Sequence, residues 1–64
     1  MGQLLLTFSL RDRKQGQDLL LRLGWLDQEL LTNEFQLSFE QEWHKEDLVA
    51  ELEESDLEFE LETL

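Results

Sequence analysis

Ser55-Asp56-Leu57-Glu58-Phe59-Glu60-Leu61-Glu62 reads in two ways, and the choice between them sets the fold. Leu57, Phe59 and Leu61 alternate strictly with Glu58, Glu60 and Glu62, the pattern of a strand with one buried and one wet face. The same residues also suit a helix. Ser55 and Glu58 stand at capping-box spacing, and Glu and Leu are good helix formers. The unbroken alternation favours the strand; a helical C-terminal segment is the alternative.

Two earlier stretches repeat the period of two. Phe35, Leu37 and Phe39 alternate with Gln36, Ser38 and Glu40, and Trp43 continues the odd-numbered set. Leu4, Leu6, Phe8 and Leu10 fall on one face of a first strand, with Leu5, Thr7 and Ser9 on the other. Arg11 to Gln17 is polar and holds a turn or a helix start. From Asp18 to Leu31 the spacing becomes helical, with Leu19, Leu23, Leu26 and Leu30 on one stripe. Gly24 either ends this helix, leaving a short turn capped by Asp27, or sits inside a continuous helix through Leu31. His44 to Glu54 carries Leu48, Val49 and Leu52 at helical spacing among acids.

These readings predict a small α+β domain spanning residues 1–64. It has about three short strands with two helices on one face, in the order β-α-β-α-β. If helix-bridged neighbours pair in parallel, right-handed crossovers follow. A chain of 64 residues with no Cys has few ways to become stable. It needs an efficient core or a second copy of itself, so a homodimer is one expected state. Two Trp and four Phe supply core material, and both Trp25 and Trp43 are expected mainly in the core. Leu4–Leu6 is too short for a signal-peptide core, and no apolar run approaches a membrane span. The expected compartment is the cytoplasm, without membrane contact.

Charge is divided unevenly. Residues 1–24 carry a balance of +2, from Arg11, Arg13, Lys14 and Arg22 against Asp12 and Asp18. Residues 25–64 carry −13, with Lys45 as the one cation. Such a load destabilises the compact state by self-repulsion and attracts basic surfaces. A solubilising surface mixes both signs, and this one does not. The sign also argues against direct nucleic-acid binding.

Catalytic and metal chemistry finds little material. There is one His and no Cys or Tyr, and Ser9, Ser38 and Ser55 stand in no nucleophile motif. No calcium-loop pattern and no Gly-rich phosphate loop occur. The expectation is a non-enzymatic protein with no cofactor and no metal.

The expected function is therefore binding: an acidic surface that occupies a basic, nucleic-acid-binding site on a partner protein. A phage- or mobile-element-type inhibitor that imitates nucleic acid is its concrete form. Asp47, Glu51, Glu54 and Glu58 recur at helical spacing, and Glu58, Glu60 and Glu62 repeat along a strand every ~6.6 Å, comparable with phosphate separation. These six and Trp43, as an aromatic anchor, are the candidate partner-binding residues. Two alternatives stand beside this reading. One is an antitoxin or small regulator. Thr7-Phe8-Ser9-Leu10-Arg11 as ribbon, the Leu19–Leu23 segment as first helix and Gly24 as bend loosely resemble the ribbon-helix-helix layout, although the second helix, Asp27 to Leu31, is short. The other is an accessory subunit of a larger complex that docks through Trp25 or Trp43.

Overall fold

A computed structural model describes residues 2–64. The elements are β1 (Gly2–Phe8), α1 (Arg13–Leu23), β2 (Glu34–Phe39), α2 (Glu42–Glu54) and β3 (Phe59–Thr63), in the predicted order. Strand β3 resolves the ambiguity of the C-terminal segment. Ser55 caps the C-terminus of α2, its hydroxyl donating to the Leu52 carbonyl at 2.7 Å, so it opens no capping box.

The sheet has the order β2-β1-β3, and both pairings are antiparallel. Neighbouring strands therefore do not pair in parallel. Instead β2 and β3 run the same way with β1 between them, and α2 crosses over the central strand. Strand β1 suits the centre because Gly2–Phe8 carries no charge and adds Leu5 on its second face. Its other face meets apolar partners in register: Leu4 opposite Leu37, Leu6 opposite Phe35 and Leu61, Phe8 opposite Phe59. These residues join Leu19 and Leu20 of α1 and Leu48 and Leu52 of α2 in one core, so both helices cover the same face. Each such side chain contributes roughly 1.5–3 kcal/mol on burial.

Several boundaries differ from the spacing-based expectation. Leu10 is 79% exposed, not on the buried face. The strand stops at Phe8 because Asp12 N–H turns back onto the Ser9 carbonyl at 3.1 Å. Helix α1 begins at Arg13, inside the polar Arg11–Gln17 stretch read as a turn or a helix start. Its early turns pack through a missing side chain: a Cβ on Gly16 would lie 2.6 Å from the Phe8 ring.

Gly24 ends α1. Its φ of 87° is left-handed, its N–H donates to the Leu21 carbonyl, and Trp25 N–H donates to that of Leu20, a Schellman arrangement. No helix or capped turn follows at Asp27 to Leu31, so the ribbon-helix-helix layout is not formed. Side chains pin this connection instead. Leu30 N–H donates to the buried Gln17 Oε1 at 2.6 Å, and Asn33 Nδ2 donates to the Phe8 carbonyl at 2.9 Å. Trp43 leaves the odd-numbered set because the chain has already entered α2, and it is 61% exposed instead of in the core.

Candidate functional site

The sheet and helices sort the six candidate acids onto different surfaces. Helix α2 buries Leu48 and Leu52 and turns the flanking residues outward. Asp47, Glu51 and Glu54, spaced by four and three, therefore share one exposed wall. With Leu23, Trp25, His44, Leu48 and Ala50 they line a groove of about 500 Å³ where the end of α1 meets α2. Four of these lining residues are apolar, three are acids, and neither Lys nor Arg is among them.

Aromatic stacking shapes one end of the groove. The His44 ring lies 4.3 Å from that of Trp25 and 5.4 Å from that of Trp43, both tilted by about thirty degrees. Trp25 is half-buried against the core, placed by the Schellman turn that carries its N–H. Trp43 does not line the groove and instead borders a neighbouring hollow with Ser38, Phe39, Glu40 and Gln41. Lys45 points elsewhere: its Nζ is 3.2 Å from Glu42 and 5.5 Å from the centroid of Phe39.

Glu58 belongs to neither the helical row nor strand β3. Helix α2 ends at Glu54, Asp56 adopts φ 60°, and Glu58 precedes the strand. Its side chain lies 3.7 Å from the Arg11 guanidinium, which partly offsets its charge. Its N–H donates to Asp12 Oδ2 at 2.9 Å. That hydrogen bond holds the Asp12 carboxyl below the usual carboxylate range. Burial opposes the shift, and Arg11 adds to it.

Glu60 and Glu62 occupy the sheet face opposite the helices. Thr7 stands between Glu60 and Glu34, and Leu5 between Glu62 and Gln36. Glu34 is thus a third acid of this face, about 10 Å from Glu60 across two strand spacings. The alternation of Glu34 with Phe35 carries the signal that places it there. The other residues missed from sequence are Leu23 and His44 of the groove, which only the packing of α1 against α2 brings, together with Trp25, to Asp47.

Among the described residues, no group of three or more His, Asp or Glu is arranged to hold a metal ion. Among them too, no helix is long and apolar enough to cross a membrane. The chain matches no protein-family model, no curated protein and no solved structure at a significant level.

Proposed function

We propose that this protein is a non-enzymatic, cytoplasmic binding protein whose α1–α2 groove takes a basic segment of a partner protein. The supporting observation is the pairing of three carboxylates, Asp47, Glu51 and Glu54, with the apolar Leu23, Trp25 and Leu48 and no lining Lys or Arg. An Arg or Lys side chain suits such a surface. Its stem lies on apolar atoms and its charge reaches the carboxylates. Basic residues of this kind are what a nucleic-acid-binding surface presents. Occupying them makes the protein an inhibitor of the sort a phage or mobile element carries, competing with nucleic acid without touching it. Glu34, Glu60 and Glu62 add a second negative face that raises the association rate by steering.

The test is competition. Partners are captured on the immobilised protein at low salt and released by a salt gradient. Each is then assayed for nucleic-acid binding with and without the protein. The expected result is a basic partner that loses nucleic acid as the protein is added, and that the triple variant Asp47→Asn, Glu51→Gln, Glu54→Gln fails to displace. Displacement unaffected by those three changes overturns the groove assignment.

One observation favours a second reading. Trp43, 61% exposed beside the hollow at the end of β2, suits an apolar anchor for assembly into a larger complex. Partner binding that is insensitive to salt and abolished by Trp43→Ala selects that reading.

A further inference from the structure

The two edges of the sheet are not alike. Strand β3 is bracketed by Glu58, Glu60 and Glu62, a charge pattern that repels another strand of this chain. Strand β2, Glu34–Phe39, has a single charge at its first residue, no Pro and no bulge in its pairing with β1.

The hydrogen-bond alternation identifies the groups that β2 leaves outward. Phe8 N–H donates to the Asn33 carbonyl, so the paired positions facing β1 are Asn33 and then Phe35, Leu37 and Phe39. Glu34, Gln36 and Ser38 point their backbone groups away from the sheet. Thr32 Oγ1 accepts from Glu34 N–H at 3.1 Å and donates to its carbonyl at 3.2 Å. That leaves the N–H and C=O of Gln36 and Ser38, both exposed residues, facing outward.

We propose that a second copy of this chain pairs here, β2 against β2 in antiparallel fashion, making one continuous six-stranded sheet. A two-fold axis at Leu37 sets Gln36 opposite Ser38 of the second copy, and Ser38 opposite its Gln36. Each pair then exchanges both backbone hydrogen bonds, and the Thr32 contacts stay in place. Phe35 falls opposite Phe39 of the second copy, so the apolar faces of the two sheets stay on one side. A one-residue slip breaks that match.

The flanks agree with the same pairing. Leu31, 97% exposed, lies three residues before β2, and Trp43, 61% exposed, lies four residues after it. The antiparallel arrangement brings the Leu31 end of each copy to the Trp43 end of the other. Charge is kept apart as well. The two β3 strands end five strand spacings apart, about 24 Å, against a screening length of ~8 Å at physiological salt. Glu34 and Glu40 of opposite copies do approach, so dimerisation strengthens as salt is added. Binding of a basic partner responds in the opposite sense, so the failure of either idea leaves the other standing.

Sedimentation of the full chain over a range of concentration and salt is the test, together with amide exchange of the same samples. The expected result is a monomer–dimer equilibrium that shifts toward dimer with salt. Protection of the Gln36 and Ser38 amides rises with concentration, while the outward amides of Phe59 and Leu61 stay unprotected. Ser38→Pro removes only an outward N–H and raises the dimer dissociation constant by about tenfold or more, the equivalent of ~1.4 kcal/mol. A monomer at every concentration and salt overturns the proposal. So does a dimer in which Gln36 and Ser38 gain no protection, a result read on the unmodified chain.

Discussion

The Asp12 carboxylate accepts the backbone N–H of Glu58 at 2.9 Å, tying the residue before α1 to the residue before β3 across 46 positions of sequence. An Asp at a helix N-cap ordinarily bonds the first turn of its own helix. Asp12 makes no such bond and serves the far end of the chain instead. The bond fixes where β3 begins, so that Phe59 meets Phe8 and Glu60 meets Thr7.

Asp12→Ala therefore lowers the thermal midpoint, and the loss depends on pH in a definite direction. The folded-state pKa of Asp12 is depressed. Its contribution is thus complete above the unfolded carboxylate value of ~3.9 and is lost as pH falls through the folded value. Melting curves of the two proteins differ at neutral pH and converge in acid. A gap that persists unchanged below both pKa values contradicts the assignment.

Gly16→Ala pits helix propensity against packing. Alanine gains ~1 kcal/mol in a helix, but the added methyl meets the Phe8 ring at 2.6 Å and Phe8 is only 1% exposed. Overpacking of this kind costs ~1–3 kcal/mol, so the variant is neutral to about 2 kcal/mol less stable in urea titration. In a Phe8→Leu background, which trims the ring, Gly16→Ala costs less than it does in the unmodified chain. Stabilisation of the single variant by the full propensity gain shows that α1 does not sit this close to β1.

Two left-handed positions give opposite predictions. Gly24 has φ 87° with nothing within 4 Å of an added Cβ, so Gly24→Ala costs ~1 kcal/mol through backbone strain alone. Asp56 already bears that strain at φ 60°, and Asp56→Gly relieves it. The same change removes one carboxylate from an overcharged chain. A gain of ~0.5–1 kcal/mol is expected in denaturant titration; destabilisation by Asp56→Gly means that its side chain holds the turn.

The two acidic faces are separable by mutation. Neutralising Asp47, Glu51 and Glu54 speeds partner dissociation and so shortens the complex lifetime, since these groups line the proposed contact. Neutralising Glu34, Glu60 and Glu62 changes the association rate and its salt dependence, with a smaller effect on lifetime. Surface plasmon resonance of both variants against a captured partner distinguishes them. Equal effects on lifetime from both sets place the contact across the sheet face too.

Much of the fold was legible because burial is simple where strands are concerned. Phe35, Leu37 and Phe39 alternate with polar residues, and the core takes all three. Leu48 and Leu52 likewise announce the buried side of α2. The failures have particular causes. Leu26 and Leu30 hold helical spacing with Leu19 and Leu23 but lie beyond a Schellman turn, so the periodicity was shared by accident. The start of α1 was placed only as one of two options within Arg11–Gln17, because its packing residue is Gly16, which contributes space and no hydrophobic signal. Strand order depends on how β1 pairs with segments 30 and 55 residues away, although its lack of charge and its extra Leu5 were visible clues. The groove was half legible. The spacing of Asp47, Glu51 and Glu54 gave its wall, while Leu23, Trp25 and His44 required the α1–α2 packing.

The central position of β1 has a consequence for the order of folding. A chain synthesised from its N-terminus exposes β1 first, yet its first neighbour is complete only at Phe39 and its second only at Thr63. Until then Leu4, Leu6 and Phe8 have no closed core to enter. Both of its pairings are non-local, and such pairings delay the rate-limiting step while loop closure is being completed. Closing both edges of β1 therefore waits on β3, and a chain halted before Phe59 presents one open edge of an apolar central strand to whatever holds nascent chains.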